Sequence, residues 1–263
     1  MRNVLSLFVL GLTIKSSAYA FVTHIAVENA APDLKACIAL LEEITQIEQQ
    51  IAFTTYDGEQ TTGHSSVDVY WKRFAEDDSR VLIEVNAPLA RRGVKLLVME
   101  QDQMPPGLHM YLPELRNVRR VTGDTLSGTL LGSDFNYEDF LYLYGLSESP
   151  TIRGEATHKL FNREVFVIEI DPQDENSRYS KIRTFVDEQS CVPLKIDFYS
   201  TEGTLRKTLT VDPEKITTIA NIHMPISFEM HDVQQDTRTV VTIESVKFDT
   251  PLKDSLFSLS GLR

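Results

Sequence analysis

The side chains that could carry catalysis are scattered. The histidines are His24, His64, His109, His158, His223 and His231. No pair has the i, i+4 spacing with a glutamate that places two metal ligands on one helix face. His223 and His231 fall near the ends of one expected strand and read as surface or packing residues. Gly145-Leu146-Ser147-Glu148-Ser149 starts like a nucleophile elbow but lacks the second glycine. No glycine-rich loop could cradle a phosphate. Paired carboxylates occur, as in any acidic chain, without a nucleophile and base beside them. The expectation is a non-enzyme, with no catalytic residue, metal site or cofactor.

Binding chemistry is better represented. Arg116, Arg119 and Arg120 form one dense basic cluster. They read either as a contact for anionic lipid headgroups or an acidic partner, or as partners of Asp134, Glu138 and Asp139. Phe135, Tyr137, Phe140, Tyr142 and Tyr144 crowd one short segment. Such a set either faces a cargo or packs a core, since aromatics dominate both. Trp71, the single tryptophan, reads first as core and second as a ligand contact. Cys37 and Cys191 are either a disulfide or two small buried hydrophobes.

The elements that must position these groups follow from composition and period. The chain has 263 residues, 42% hydrophobic, 24% charged and 9% aromatic. Those are globular proportions, which exclude disorder and fibrous repeats. Lys and Arg total 26 against 38 Asp and Glu, a net charge of −12, which argues against a surface built for nucleic acid. Arg2, the apolar run 4–14 and Ala18-Tyr19-Ala20 form the three parts of a secretory signal peptide. The run is too short to span a bilayer. Cleavage after Ala20 and a single domain over 21–263 are expected. The mature chain is then expected to be exported and to have no membrane span.

From Asp33 to Gln50, Leu34, Ile38, Leu41, Ile44 and Ile47 recur in steps of four and three, which predicts a helix. Beyond it the period changes to two. Val67, Val69 and Trp71 alternate with Asp68, Tyr70 and Lys72, and Val81, Ile83 and Val85 behave alike. Further strands are expected around 94–98 and 110–112, and over 160–170, 180–187, 193–200, 204–211, 220–231 and 237–249. Short connections make them antiparallel neighbours in one curled sheet. A helix over 135–146, capped by Ser133 or Asp134 and ended by Gly145, interrupts them.

The segments YLPELRNVRR (111–120) and GSDFNYEDF (132–140) are long and unusual. With Arg92-Gly93, VPLKIDFYSTEGTL (192–205), HMPISFEMHD (223–232) and the end around Phe257, the chain closely resembles the exported outer membrane lipoprotein-sorting protein family, which is LolA/LolB-like. Leu130-Leu131 stands where that family often carries Phe-Met. The resemblance implies a mainly β fold with some α, a half-open, incomplete β-barrel roofed by a helical lid. It implies a hydrophobic cavity that binds lipid or lipoprotein acyl chains and carries them toward the outer membrane. Trp71, Tyr111, Leu112, Phe135, Tyr137, Phe140 and Tyr144 become the candidate lid and lipid-binding residues. The alternative is a periplasmic adaptor or sensor for an inner-membrane exporter of the resistance-nodulation-division (RND) type, without lipid carriage.

Overall fold

The computed structural model describes residues 44–75, 78–101, 104–121, 128–143, 151–172 and 177–263, with backbone alone at 101, 104–106 and 151–157. The strands in chain order are β1 (Gln46–Asp57), β2 (Gln60–Ala75), β3 (Asp78–Ala87), β4 (Lys95–Gln101), β5 (Met104–Leu112), β6 (Asn117–Val121), β7 (Thr151–Leu160) and β8 (Arg163–Asp171). They continue as β9 (Tyr179–Asp187), β10 (Pro193–Ser200), β11 (Leu205–Thr210), β12 (Ile216–Ile219), β13 (Ile222–Pro225), β14 (Ser227–Asp232) and β15 (Thr237–Phe248). The described helix, α1, is Tyr137–Leu143.

Thirteen strands form one antiparallel sheet in the order β6-β5-β4-β3-β2-β1-β15-β14-β11-β10-β9-β8-β7. Its two ends, β6 and β7, do not pair with each other, so the sheet curls without closing. This is the expected half-open barrel. β12 and β13 form a separate two-stranded hairpin.

Period-two alternation gives the sheet an inside and an outside. Val67, Val69, Trp71, Val81, Ile83, Val85, Leu96 and Val98 all point into the inner cluster. Leu82 and Leu97, on the opposite face, join Phe257 and Leu262 in an outer cluster. The chain end therefore wraps the convex side. Lys72 Nζ donates to Leu252 O at 2.8 Å and pairs with Asp254 at 2.7 Å, and Leu252 N donates to Gln46 Oε1 at 2.7 Å. The Phe74 and Phe257 rings meet edge to face at 5.7 Å.

Three expectations are corrected. Residues 46–50 belong to β1, not to a helix; 33–43 lie outside the described residues. Ile47, Gln49, Ile51, Ala52 and Phe53 are the buried positions of β1, and of these Ile47, Ile51 and Phe53, at even spacing, join the inner cluster. Ile44 and Ile47, three apart, suit a helix, but pairing of 46–50 with β2 on one side and β15 on the other makes this segment a strand. The strand drawn over 220–231 is two, β13 and β14. Ala220 and Asn221 both take positive φ, 49° and 65°, in the tight turn between β12 and β13. His223 and His231 thus sit on different strands. Likewise Phe161 and Asn162, at φ 50° and 64°, split 160–170 into the end of β7 and the whole of β8. Val165, Phe166, Val167 and Ile168 of β8 are all buried, as a strand apolar on both faces requires.

Candidate functional site

The segment 128–143 lies across the concave face and roofs an apolar recess. Ile51 and Phe53 of β1, Val67 and Val69 of β2, Ile83 of β3, Phe228 of β14 and Val241 of β15 form its floor and walls. Leu130, Leu131 and Phe135 enter from the loop before α1, and Phe140 and Leu143 from α1 itself. Every lining residue is apolar. The recess as it stands is small, about 50 Å³, and opens on one side to solvent. Phe135 stands between Phe53 and Phe228, edge to face with each, at 6.2 and 6.3 Å.

The roof is shaped by its own backbone. Leu131 and Gly132 take φ of 58° and 79°, and Ser133 Oγ donates to Leu130 O at 2.6 Å. Leu130 N donates to Phe135 O at 2.7 Å, so the loop is a tight hairpin that turns apolar side chains inward. Asn136, not Ser133 or Asp134, caps α1. Asp139 N donates to Asn136 Oδ1 at 2.7 Å and Asn136 N donates to Asp139 Oδ2 at 2.8 Å, a reciprocal capping box. Seven residues are too few for a stable isolated helix, so contacts to the sheet must hold α1.

Those contacts come from the acids of the segment. Asp134 accepts from the Thr237 and Thr239 hydroxyls of β15 at 2.5 and 2.6 Å. Glu138 accepts from Ser177 Oγ at 2.5 Å and from Arg178 N at 3.2 Å. Asp139, fully buried, takes Lys207 Nζ of β11 at 2.8 Å and the hydroxyl of Tyr179. Burial, and then the neighbouring Asp139 carboxylate, push the Tyr179 phenol well above its ordinary value. From the fourth side, Arg91 Nη1 donates to Leu131 O at 2.5 Å. The polar letters of GSDFNYEDF are thus the fastenings of the roof, and its apolar letters line the recess or pack beneath it.

The reading in which Arg116, Arg119 and Arg120 pair with these acids is corrected: Asp134, Glu138 and Asp139 are engaged elsewhere. Nor do the three arginines share one patch. Arg116 sits in the β5–β6 turn at φ 48°. On β6, Arg119 lies opposite Met110, which packs on the inner cluster, while Arg120 lies opposite His109. Burial first, and then Arg120, lower the His109 pKa.

Phe135 and Phe140 line the recess. Trp71 is buried in the inner cluster but is not among the lining residues. Tyr137 is buried beside the recess; burial raises its phenol, and Arg91 offsets this in part. Tyr111 packs on the outer cluster, Leu112 is half-buried at the end of β5, and Tyr144 and Gly145 lie outside the described residues. Cys191, at φ 62°, is disulfide-bonded, and Cys37 lies outside the described residues. Among the described residues no group of three or more His, Cys, Asp or Glu could hold a metal ion. No helix among them is long and apolar enough to cross a membrane.

Sequence reasoning missed Arg91, Tyr179, Lys207, Thr237 and Thr239. A local signal existed only for the capping box, Asn136-x-x-Asp139. The other partners come from distant strands and leave no trace of the pairing in the sequence.

A model of a family described as uncharacterized proteins matches residues 77–263. None of the curated proteins matches the chain. Among solved structures, an outer membrane lipoprotein-sorting protein domain from Vibrio parahaemolyticus superposes with a TM-score of 0.78 at 23% identity, covering 88% of this chain and 96% of that one. A DUF1329 family protein from Desulfovibrio piger gives 0.79 at 20% identity over 88% and 97%. A LolA superfamily protein from Nitrosomonas europaea gives 0.67 at 17% identity over 87% and 98%.

Proposed function

We propose a function from the premise that this chain belongs to the family of uncharacterized proteins matched over residues 77–263 and has the fold of the LolA superfamily. The chain binds a lipid or lipoprotein acyl chain in the roofed recess, in the periplasm, and carries it toward the outer membrane. One observation carries this reading: the lining is entirely apolar, while the polar groups of the roof all turn away to fasten it. Each methylene moved from water into such a lining gains about 0.8 kcal/mol. A tail of about ten carbons would gain about 8 kcal/mol by transfer alone, less the cost of opening the roof to admit it. Opening the recess would mean releasing the fastenings of the roof, the buried Asp139–Lys207 pair among them, while the sheet stays intact.

Delipidated protein should take up a fluorescent fatty acid. Phe140→Asp, which puts a charge into the lining, should weaken uptake at least tenfold, with Phe135→Ala as a milder companion if the first fails to fold. Failure of every acyl probe to bind removes this reading.

The second reading, an adaptor or sensor for an RND-type exporter, draws on one feature of the interior. Side chains fill most of the concave face and confine the recess to β1–β3, β14 and β15. A partner-binding protein needs no larger space. Copurification with an exporter, without acyl uptake, would select it.

A further inference from the structure

Two neighbouring turns at one end of the sheet carry an unusual surface. The turn between β3 and β4 presents Leu89, 80% exposed, followed by Arg91 and Arg92. The turn between β5 and β6 presents Leu115, 57% exposed, followed by Arg116. The sheet order places both turns at the same end, and a Cβ built on Gly93 would lie 3.4 Å from Pro113 Cγ, so the turns touch. The three arginines are exposed, and Glu114 is the single acid on either turn. One exposed leucine needs no explanation. Two on adjoining tips, ringed by cations in a chain of net charge −12, set apolar and basic chemistry side by side. Arg91 also holds Leu131 O of the roof, which ties the β3–β4 turn to the recess.

We propose that these two turns dock on a bilayer surface carrying anionic phosphate headgroups. Leu89 and Leu115 enter the headgroup–acyl boundary, while Arg91, Arg92 and Arg116 pair with phosphates. The contact brings the recess mouth to the membrane, where an acyl chain can pass without crossing water. Docking rests on the carrier reading for its purpose, not for its evidence.

Vesicle flotation tests it, with the protein as recovered after export and phosphatidylcholine vesicles with or without phosphatidylglycerol. The wild type should float with the anionic vesicles, less so as salt rises, and not with the neutral ones. Leu89→Asp with Leu115→Asp, and separately Arg92→Glu with Arg116→Glu, should each lower the bound fraction about tenfold or more. All four positions are exposed, so the melting temperature should not move. A wild type that ignores anionic vesicles, or binds neutral ones equally, overturns the proposal, as do variants that float like the wild type. Fatty-acid uptake, read on the same samples, judges the recess separately: flotation without uptake refutes carriage and leaves docking standing.

Discussion

Asp139 of the roof helix and Lys207 of β11 meet in an ion pair of 2.8 Å across 68 residues of sequence, both shut away from water. Asp139 also closes the capping box with Asn136 and accepts from Tyr179. One carboxylate therefore starts the helix and pins it to two strands. A buried charge is tolerable only when its partners are all in place, so the roof has one well-defined closed position.

Removing one partner should expose that dependence. Lys207→Ala leaves Asp139 buried without its cation and should cost about 3–5 kcal/mol of unfolding free energy. Lys207→Met combined with Asp139→Asn should cost less than the sum of the single changes. Urea denaturation of the four proteins gives the coupling. A Lys207→Ala protein within about 1 kcal/mol of wild type would mean that the pair does not hold the roof.

Alkaline stability should report Tyr179. Its folded pKa is raised above the ordinary 10.0 by burial and by Asp139. The folded state then keeps its proton where the unfolded state loses it. This contribution is fully present below the unfolded value and is lost as pH rises toward the folded one. Melting temperature should fall more steeply between about pH 9 and about pH 12 in wild type than in Tyr179→Phe. Parallel curves would show that the tyrosine is not coupled to folding.

The C-terminal wrap depends on one close approach. A Cβ at Gly261 would lie 1.9 Å from the Ser255 carbonyl oxygen, a backbone atom that cannot rotate away. Gly261→Ala should lift the segment that carries Phe257 and Leu262, at a cost of about 1–3 kcal/mol. Limited proteolysis should then cut near residue 250 faster than in wild type, while acyl uptake on the opposite face persists.

The two cysteines should be joined. Cys191 is disulfide-bonded and the sequence holds one other cysteine, Cys37. A digest made without reductant should yield one peptide containing both, which separates into two masses on reduction. Reduction should cost about 2–5 kcal/mol. Two separate peptides in the unreduced digest would refute the pairing.

Much of the sheet was legible because its alternation is clean. Val67, Val69 and Trp71 face inward and Tyr70 outward, as period two requires. Asp57-Gly58 and Ser200–Gly203 mark real turns, since their residues tolerate the backbone that a hairpin needs. β1 was not legible over 46–50, because Ile44 and Ile47 continue the steps of four and three that run from Leu34. β12 and β13 were not, because Ala-Asn is a weaker turn signal than Asn-Gly. β7 was missed because an edge strand carries little alternation to read.

In the site, the GSDFNYEDF segment could be singled out, but not what its acids do. Asp134, Glu138 and Asp139 stand near Arg116, Arg119 and Arg120 in sequence, which made local pairing the natural expectation. The fold instead sends them to Thr239, Ser177 and Lys207.

The sequence by itself determined a curled antiparallel sheet, because the period of apolar residues and the turn chemistry of neighbours are short-range facts, while the roof came from the resemblance carried by GSDFNYEDF. Only the tertiary structure decided which aromatics line the recess, which acids fasten the roof, and that the turns carrying Leu89 and Leu115 touch. Those relationships join strands far apart in the chain, and their geometry is set by sheet order and register, which no local pattern encodes.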